Sequence, residues 1–270
     1  MEKILNKKVE FVDISKLREN DKIYLICKNK SVVNNNDKCV ICYKNTFSRN
    51  MFLKNYSNLI CIETLDDYNY TKFVLKIIKK FLKEIGNKEC LKIYIIENGN
   101  KYLNDLKQGI IALTKNIPER NEYIYEYIYD YIDKNYNINM CDFKDDICLA
   151  NRKRGKCDRT AGCCYSFQYS KWYESTLIKN VKICEHLKNK RCQEKNLSCK
   201  LFTCKYLKKY KNIEFDTHEI LLLDFFFNNK QHLILKYNFF KTKKEILSKL
   251  LEKNSLPFLI YYSSMRYLIK

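Results

Sequence analysis

Seven of the fourteen cysteines in this 270-residue chain fall between Cys157 and Cys204. They are Cys157, Cys163, Cys164, Cys184, Cys192, Cys199 and Cys204. Thiolate is a soft ligand that suits zinc or an iron–sulfur cluster, so this density points to metal chemistry. A zinc site takes four ligands at tetrahedral reach, and a cubane cluster takes four thiolates around its box of iron and sulfide. Neighbours such as Cys163 and Cys164 do not easily chelate one ion in unstrained backbone, so one serves a site and the other turns elsewhere. Seven thiols exceed one ordinary site and fall one short of two all-cysteine sites. His186, two residues after Cys184, is a candidate eighth ligand, against the plainer reading of a surface histidine. The spacing is compatible with zinc and with iron–sulfur, and with one site or two.

Outside that window, Cys39-Val40-Ile41-Cys42 is a CxxC that follows the polar run Asn34-Asn35-Asn36-Asp37. It is expected in a loop or turn, as a redox pair or half of a second metal site. Cys27 and Cys61 would complete four ligands there if neighbouring strands bring them close. Cys90, Cys141 and Cys148 read as thiols packing as small apolar groups.

The bulk composition narrows the setting. An apolar share of 46% with 14% aromatic residues suffices for a packed core. No run of eighteen apolar residues occurs, which predicts no membrane span. The start, MEKILNKKVEFVD, lacks an apolar h-region, which predicts no secretory signal and a reducing, cytoplasmic setting. There the cysteines serve as ligands or thiols in preference to disulfides. The net charge of +20 fits the lysine bias of an AT-rich genome, but it is uneven. Residues 151–213 hold 17 lysines and arginines against 4 acids, a local +13. A basic shell of Arg152, Lys153, Arg154, Arg159, Lys188, Lys190 and Arg191 around the cysteines could meet phosphate.

The cysteine window resembles the YkgJ-type cysteine-cluster family, described as zinc- or iron-chelating, whose pattern opens C-x2-C-x2-C-C. Cys157 matches the first cysteine, and Cys163-Cys164 match the pair. Cys184-Glu185-His186-Leu187 matches a later Cys-x-x-Leu element. Cys192 and Cys199 match the last two cysteines, with Lys200-Leu201-Phe202 as the tail. Thr160 stands where the family has its second cysteine, the family's Arg-Pro before its last cysteine is replaced by Asn196-Leu197-Ser198, and Cys204 is additional. The resemblance covers about fifty residues and implies metal binding without implying a reaction, although a similar cluster occurs in flagellin lysine methylases.

The elements that must position these residues read as an α+β chain. Its parts are a mixed α/β domain over 1–150, a cysteine-rich metal-binding segment over 151–213, and an apolar, mainly helical unit over 214–270. Lys22–Cys27, Leu59–Ile62 and Leu91–Ile96 are strand-like. Apolar residues at i, i+4, i+8 between Thr71 and Ile85 predict an amphipathic helix, giving one right-handed βαβ unit. A helix is predicted over Tyr102–Leu113 and another from Pro118 to about Tyr136. In the second, Ile124, Ile128 and Ile132 repeat at four, while five tyrosines from Tyr123 to Tyr131 repeat at two. Those tyrosines suit base stacking or, more simply, packing on the sheet. Residues 141–156 read as a polar connection, and Thr217–Phe227 as a helix opened by Asp216 or Thr217. Gln231–Phe240 fits helix or strand. Thr242 and Glu245 form a capping box, and Pro257–Tyr262 reads as a terminal strand or helix.

Five glycines leave little room for a phosphate-cradling loop, and neither GxxxxGK[ST], GxGxxG nor HExxH occurs. Only three histidines exist, His186, His218 and His232, with no nucleophile obviously beside any of them. Three functions remain open at this level. One is a metal-binding protein, structural or with a protein partner. Another is a nucleic-acid binder using the basic shell. The third is a metal-dependent redox or methylase-like enzyme.

Overall fold

Apolar and polar residues alternate in LKIYII, which demands a strand with one covered face. Strand β5 (Leu91–Ile96) accordingly buries Leu91, Ile93 and Ile95 and exposes Lys92. The structure is a computed structural model. It describes residues 9–13, 24–27, 39–42, 59–84, 90–97, 99–135, 143–144, 147–148, 187–188, 191–192, 196–202, 212, 214–238 and 241–252. The chain is α+β and divides into two compact units, residues 1–120 and 121–270.

In the first unit β5 belongs to a five-stranded, all-parallel sheet. The other strands are β1 (Val9–Phe11), β2 (Tyr24–Cys27), β3 (Cys39–Cys42) and β4 (Leu59–Glu63), in the order β1-β5-β4-β2-β3. A parallel pair needs a long crossover. Between β4 and β5 it is helix α1 (Tyr68–Glu84), which completes the expected βαβ unit. β4 is an unbroken apolar run, and Leu59, Ile60, Cys61 and Ile62 are all buried, as in a parallel strand covered on both faces. α1 buries Tyr70, Val74, Leu75, Ile78 and Phe81 and turns Lys76, Lys79, Lys80 and Lys83 to solvent. The Asp67 carboxylate caps it by accepting the Tyr70 N–H at 2.7 Å, at the end where the helix dipole favours negative charge. α2 (Leu103–Leu113) packs on α1 and buries Leu106, Ile110, Ala112 and Leu113.

One expectation is corrected here. Cys39–Cys42 is a strand and not a loop, paired in register with Tyr24–Cys27. Strand faces alternate with period two, so positions three apart have opposite parity. Cys42 is the register partner of Cys27, and Cys61 the partner of Leu25.

Helix α3 (Ile117–Asn135) leads into the second unit. Its four-residue repeat prevails over the two-residue tyrosine repeat. Ile124, Ile128 and Ile132 are buried on one stripe, and the tyrosines pair along the helix, Tyr125 with Tyr129 and Tyr127 with Tyr131. The polar connection contains a small hairpin, β6 (Phe143–Lys144) with β7 (Ile147–Cys148). A second hairpin pairs β8 (Leu187–Lys188) with β9 (Arg191–Cys192). Four short helices follow, α4 (Leu197–Leu201), α5 (Leu221–Phe226), α6 (Asn229–Tyr237) and α7 (Lys243–Leu251). The helix expected from Thr217 starts later, because residues 217–219 form a turn in which the Asp216 carboxylate takes the His218 N–H at 2.9 Å. The ambiguous run from Gln231 is helical, since Asn228 and Gln231 form a capping box ahead of it. Pro257–Tyr262 lies outside the described residues.

The capping box expected at Thr242 is present. The Thr242 hydroxyl accepts the Glu245 N–H at 3.2 Å, and the Glu245 carboxylate accepts the Thr242 N–H at 2.8 Å. Lys241 lies 2.7 Å from the same carboxylate, and Lys243 reaches Glu122 at 2.7 Å and also Glu126 on α3. The Lys241 ammonium and then the Thr242 N–H hold the Glu245 carboxyl down to about 2 from 4.5. A depressed carboxyl contributes stability that is complete above pH 4.5 and disappears as the pH falls towards 2. Glu245→Gln should therefore show a shallower fall in Tm than wild type when acidified through that window. Parallel Tm curves from circular dichroism melts would refute this role for the cap.

Candidate metal-binding region

Helix α4 carries Cys199, one of the two cluster cysteines among the described residues, and it is anchored by several hydrogen bonds. Asn196 caps it, with the side-chain oxygen accepting the Cys199 N–H at 2.9 Å. The same amide's nitrogen donates to the carbonyls of Asn238 at 2.9 Å and Lys241 at 2.7 Å. The Leu197 N–H donates to the Tyr125 hydroxyl at 2.8 Å, and Ser198 Oγ accepts the Asn238 N–H at 3.2 Å. Burial, chiefly, pushes the Tyr125 phenol well above its ordinary range, so it remains a neutral hydroxyl. Lys200 is buried, with its ammonium over the Tyr129 ring and 2.6 Å from Asp133 on α3. Leu197 and Leu201 are fully buried.

Along Asn196–Leu201, then, every residue is buried except Cys199, which is half-buried and in no disulfide. A thiol held on a short, fully anchored helix is well suited to act as a pre-positioned ligand. Cys192 lies seven residues earlier, on β9, in register with Leu187. On that hairpin Lys188 stands directly opposite Arg191. Cys157, Cys163, Cys164, Cys184 and Cys204 lie outside the described residues, as do His186, Arg152, Lys153, Arg154, Arg159 and Lys190.

The sheet of the first unit has a place where open parallel sheets bind ligands. The strand order reverses between β2 and β4, and such a crevice lies at the strands' C-terminal ends. Here Tyr70 occupies it. Its hydroxyl donates to the Glu63 carbonyl at 2.6 Å and sits 3.3 Å from the Ile26 carbonyl, stitching together the ends of β4 and β2. Asp66 and Asp67 flank the same edge, and Asp67 already holds the N-terminus of α1, where a phosphate would otherwise bind.

A second constellation escaped the sequence reading. His218, Asp224 and His232 bring their ligand atoms within 4.8 Å of one another. The imidazoles of His218 and His232 stack with centroids 4.3 Å apart, and His218 Nδ1 is 3.8 Å from Asp224. The three residues come from a turn, α5 and α6, at spacings of six and eight, so no single helix or hairpin period links them. What could have signalled them is the scarcity of histidine, since two of only three lie fourteen residues apart in an apolar region.

No protein-family model, no curated protein and no solved structure matches this chain. No helix among the described residues is long and apolar enough to cross a membrane.

The anchoring of α4 makes Asn196 the side chain to remove. Asn196→Ala removes the side-chain donor to the Asn238 and Lys241 carbonyls and the acceptor of the Cys199 N–H, and should lower stability by about 1–3 kcal/mol in denaturant unfolding. Cys199 should then react faster with a thiol reagent under native conditions. Unchanged stability together with unchanged reactivity would overturn this account of the anchor.

Proposed function

We propose that the chain is a metal-binding cysteine-cluster protein, with zinc or an iron–sulfur cluster held by Cys157, Cys163, Cys164, Cys184, Cys192, Cys199 and Cys204. The observation that carries this reading is the presentation of Cys199, half-buried on a helix whose other residues are buried and bonded. It is the sixth of seven cysteines packed into 48 residues, and the window resembles the YkgJ-type family. Metal binding would tie down a stretch with little apolar residue of its own, and its free energy would become folding free energy. A primarily enzymatic reading has less support. The crevice of the parallel sheet is taken by Tyr70, and its described edge is acidic where an anionic cofactor would need positive charge. A second metal site at Cys39 and Cys42 is a separate proposal, read out by the same metal analysis.

The test is elemental metal content and visible absorption of protein purified without oxygen, for wild type and Cys199→Ser. Zinc, or iron with sulfide and a broad visible band, should be present in wild type and reduced in the variant. Metal-free, stably folded wild type would overturn the proposal.

A second reading rests on one register. Lys188 and Arg191 are register partners on the β8–β9 hairpin, and two basic positions so paired suit an anion. With a local +13 over residues 151–213, the anion that fits best is nucleic-acid phosphate, met also by Arg152, Lys153, Arg154, Arg159 and Lys190. Binding to single-stranded RNA or DNA should then weaken steeply with salt, and Lys188→Ala with Arg191→Ala should flatten that slope. Absent or salt-insensitive binding would exclude this reading.

A further inference from the structure

His232 is buried to 4% exposure, yet one of its two ring nitrogens is unsatisfied. Nε2 lies 3.2 Å from the Phe227 carbonyl. A carbonyl only accepts, so the ring proton sits on Nε2 and the lone pair sits on Nδ1. Nδ1 makes no hydrogen bond of normal geometry, although the Leu223 carbonyl also lies near the ring. A buried acceptor left in this state costs free energy, and native structures rarely tolerate it without a reason. The arrangement matches the outer support of a metal-bound histidine. One nitrogen is pinned to a backbone carbonyl, so that the other is presented in a fixed orientation.

We propose that His218, Asp224 and His232 form a site for a divalent transition-metal ion, zinc by preference, with a fourth position open to water or a ligand. Two imidazoles and one carboxylate are the borderline and hard donors that zinc accepts in three-ligand sites. Bond lengths of about 2.0–2.1 Å put ligand atoms about 3.3 Å apart around a tetrahedral zinc. The present spread of up to 4.8 Å is wider than this, so the donors draw closer when an ion binds. The residue that must turn is His218, whose ring leaves its 4.3 Å stack on His232; half of its side chain already faces solvent. The other two donors are set by rigid parts. Asp224 lies on α5, and His232 lies on α6, whose start is fixed by the Asn228–Gln231 capping box. The Asp224 carboxylate offsets half of the ion's charge.

This site uses no thiolate and stands or falls independently of the cysteine cluster. The test uses the full chain, purified without oxygen, and compares wild type, His218→Ala, Asp224→Asn, Asp224→Glu and Cys199→Ser. Total zinc is measured after titration with zinc chloride against a chromophoric chelator, and folding is checked by far-ultraviolet circular dichroism. His218 and Asp224 are the exposed and half-buried members, so their variants should remain folded. Wild type should hold one equivalent of zinc that His218→Ala and Asp224→Asn each weaken at least tenfold. Asp224→Glu should recover part of it, and Cys199→Ser should leave it intact. Identical zinc binding in wild type, His218→Ala and Asp224→Asn would overturn the site, as would a loss of that equivalent in Cys199→Ser alone.

Discussion

A buried side-chain amide must find partners for both its ends, and Asn196 finds three. Its oxygen closes the first turn of α4, and its nitrogen ties down two carbonyls, Asn238 at the end of α6 and Lys241 before α7. Two segments some forty residues apart in sequence thus converge on one planar group. Removing it would take one partner from each of three backbone groups at once, which is why such networks tend to be fully made or absent. The Leu197 N–H on Tyr125 and the Lys200 ammonium on Asp133 extend the same logic to α3. What reaches the surface from this arrangement is a single thiol, Cys199.

Much of the fold was legible because its signals are periodic and local. The four-residue stripe of α1 and the alternation in β5 each demand one element and one buried face. The Thr242–Glu245 box stands at its place for the same reason, being a four-residue rule. In α3 two periods competed, and the isoleucines prevailed because a stripe at four buries three aliphatic chains at once. Errors arose where turn chemistry outweighed composition. The apolar run after Thr217 looks helical throughout, yet Asp216 bends its start into a turn. Cys39–Cys42 looks like a knuckle after a polar run, yet β-branched Val40 and Ile41 between the cysteines favour an extended chain paired with β2.

The candidate sites divide along the same line. The cysteine window is visible in composition alone, since seven thiols in one stretch need no fold to be noticed. The trio of His218, Asp224 and His232 is invisible until a turn and two helices have been assembled. Even then what distinguishes it is a ring nitrogen without a hydrogen bond of normal geometry, which is a property of packing and not of spacing. Likewise, the βαβ unit suggested a cofactor crevice, but only coordinates reveal that a tyrosine hydroxyl bridges the strand ends there.

Helix α6 joins these themes mechanically. His232 lies in its first turn, and Asn238 at its far end meets Asn196 and Ser198 beside Cys199. Six residues of helix separate the two, a strut about 9 Å long at 1.5 Å per residue. The same short helix thus carries an imidazole in its first turn and, at its other end, a carbonyl that helps to hold the thiol-bearing helix.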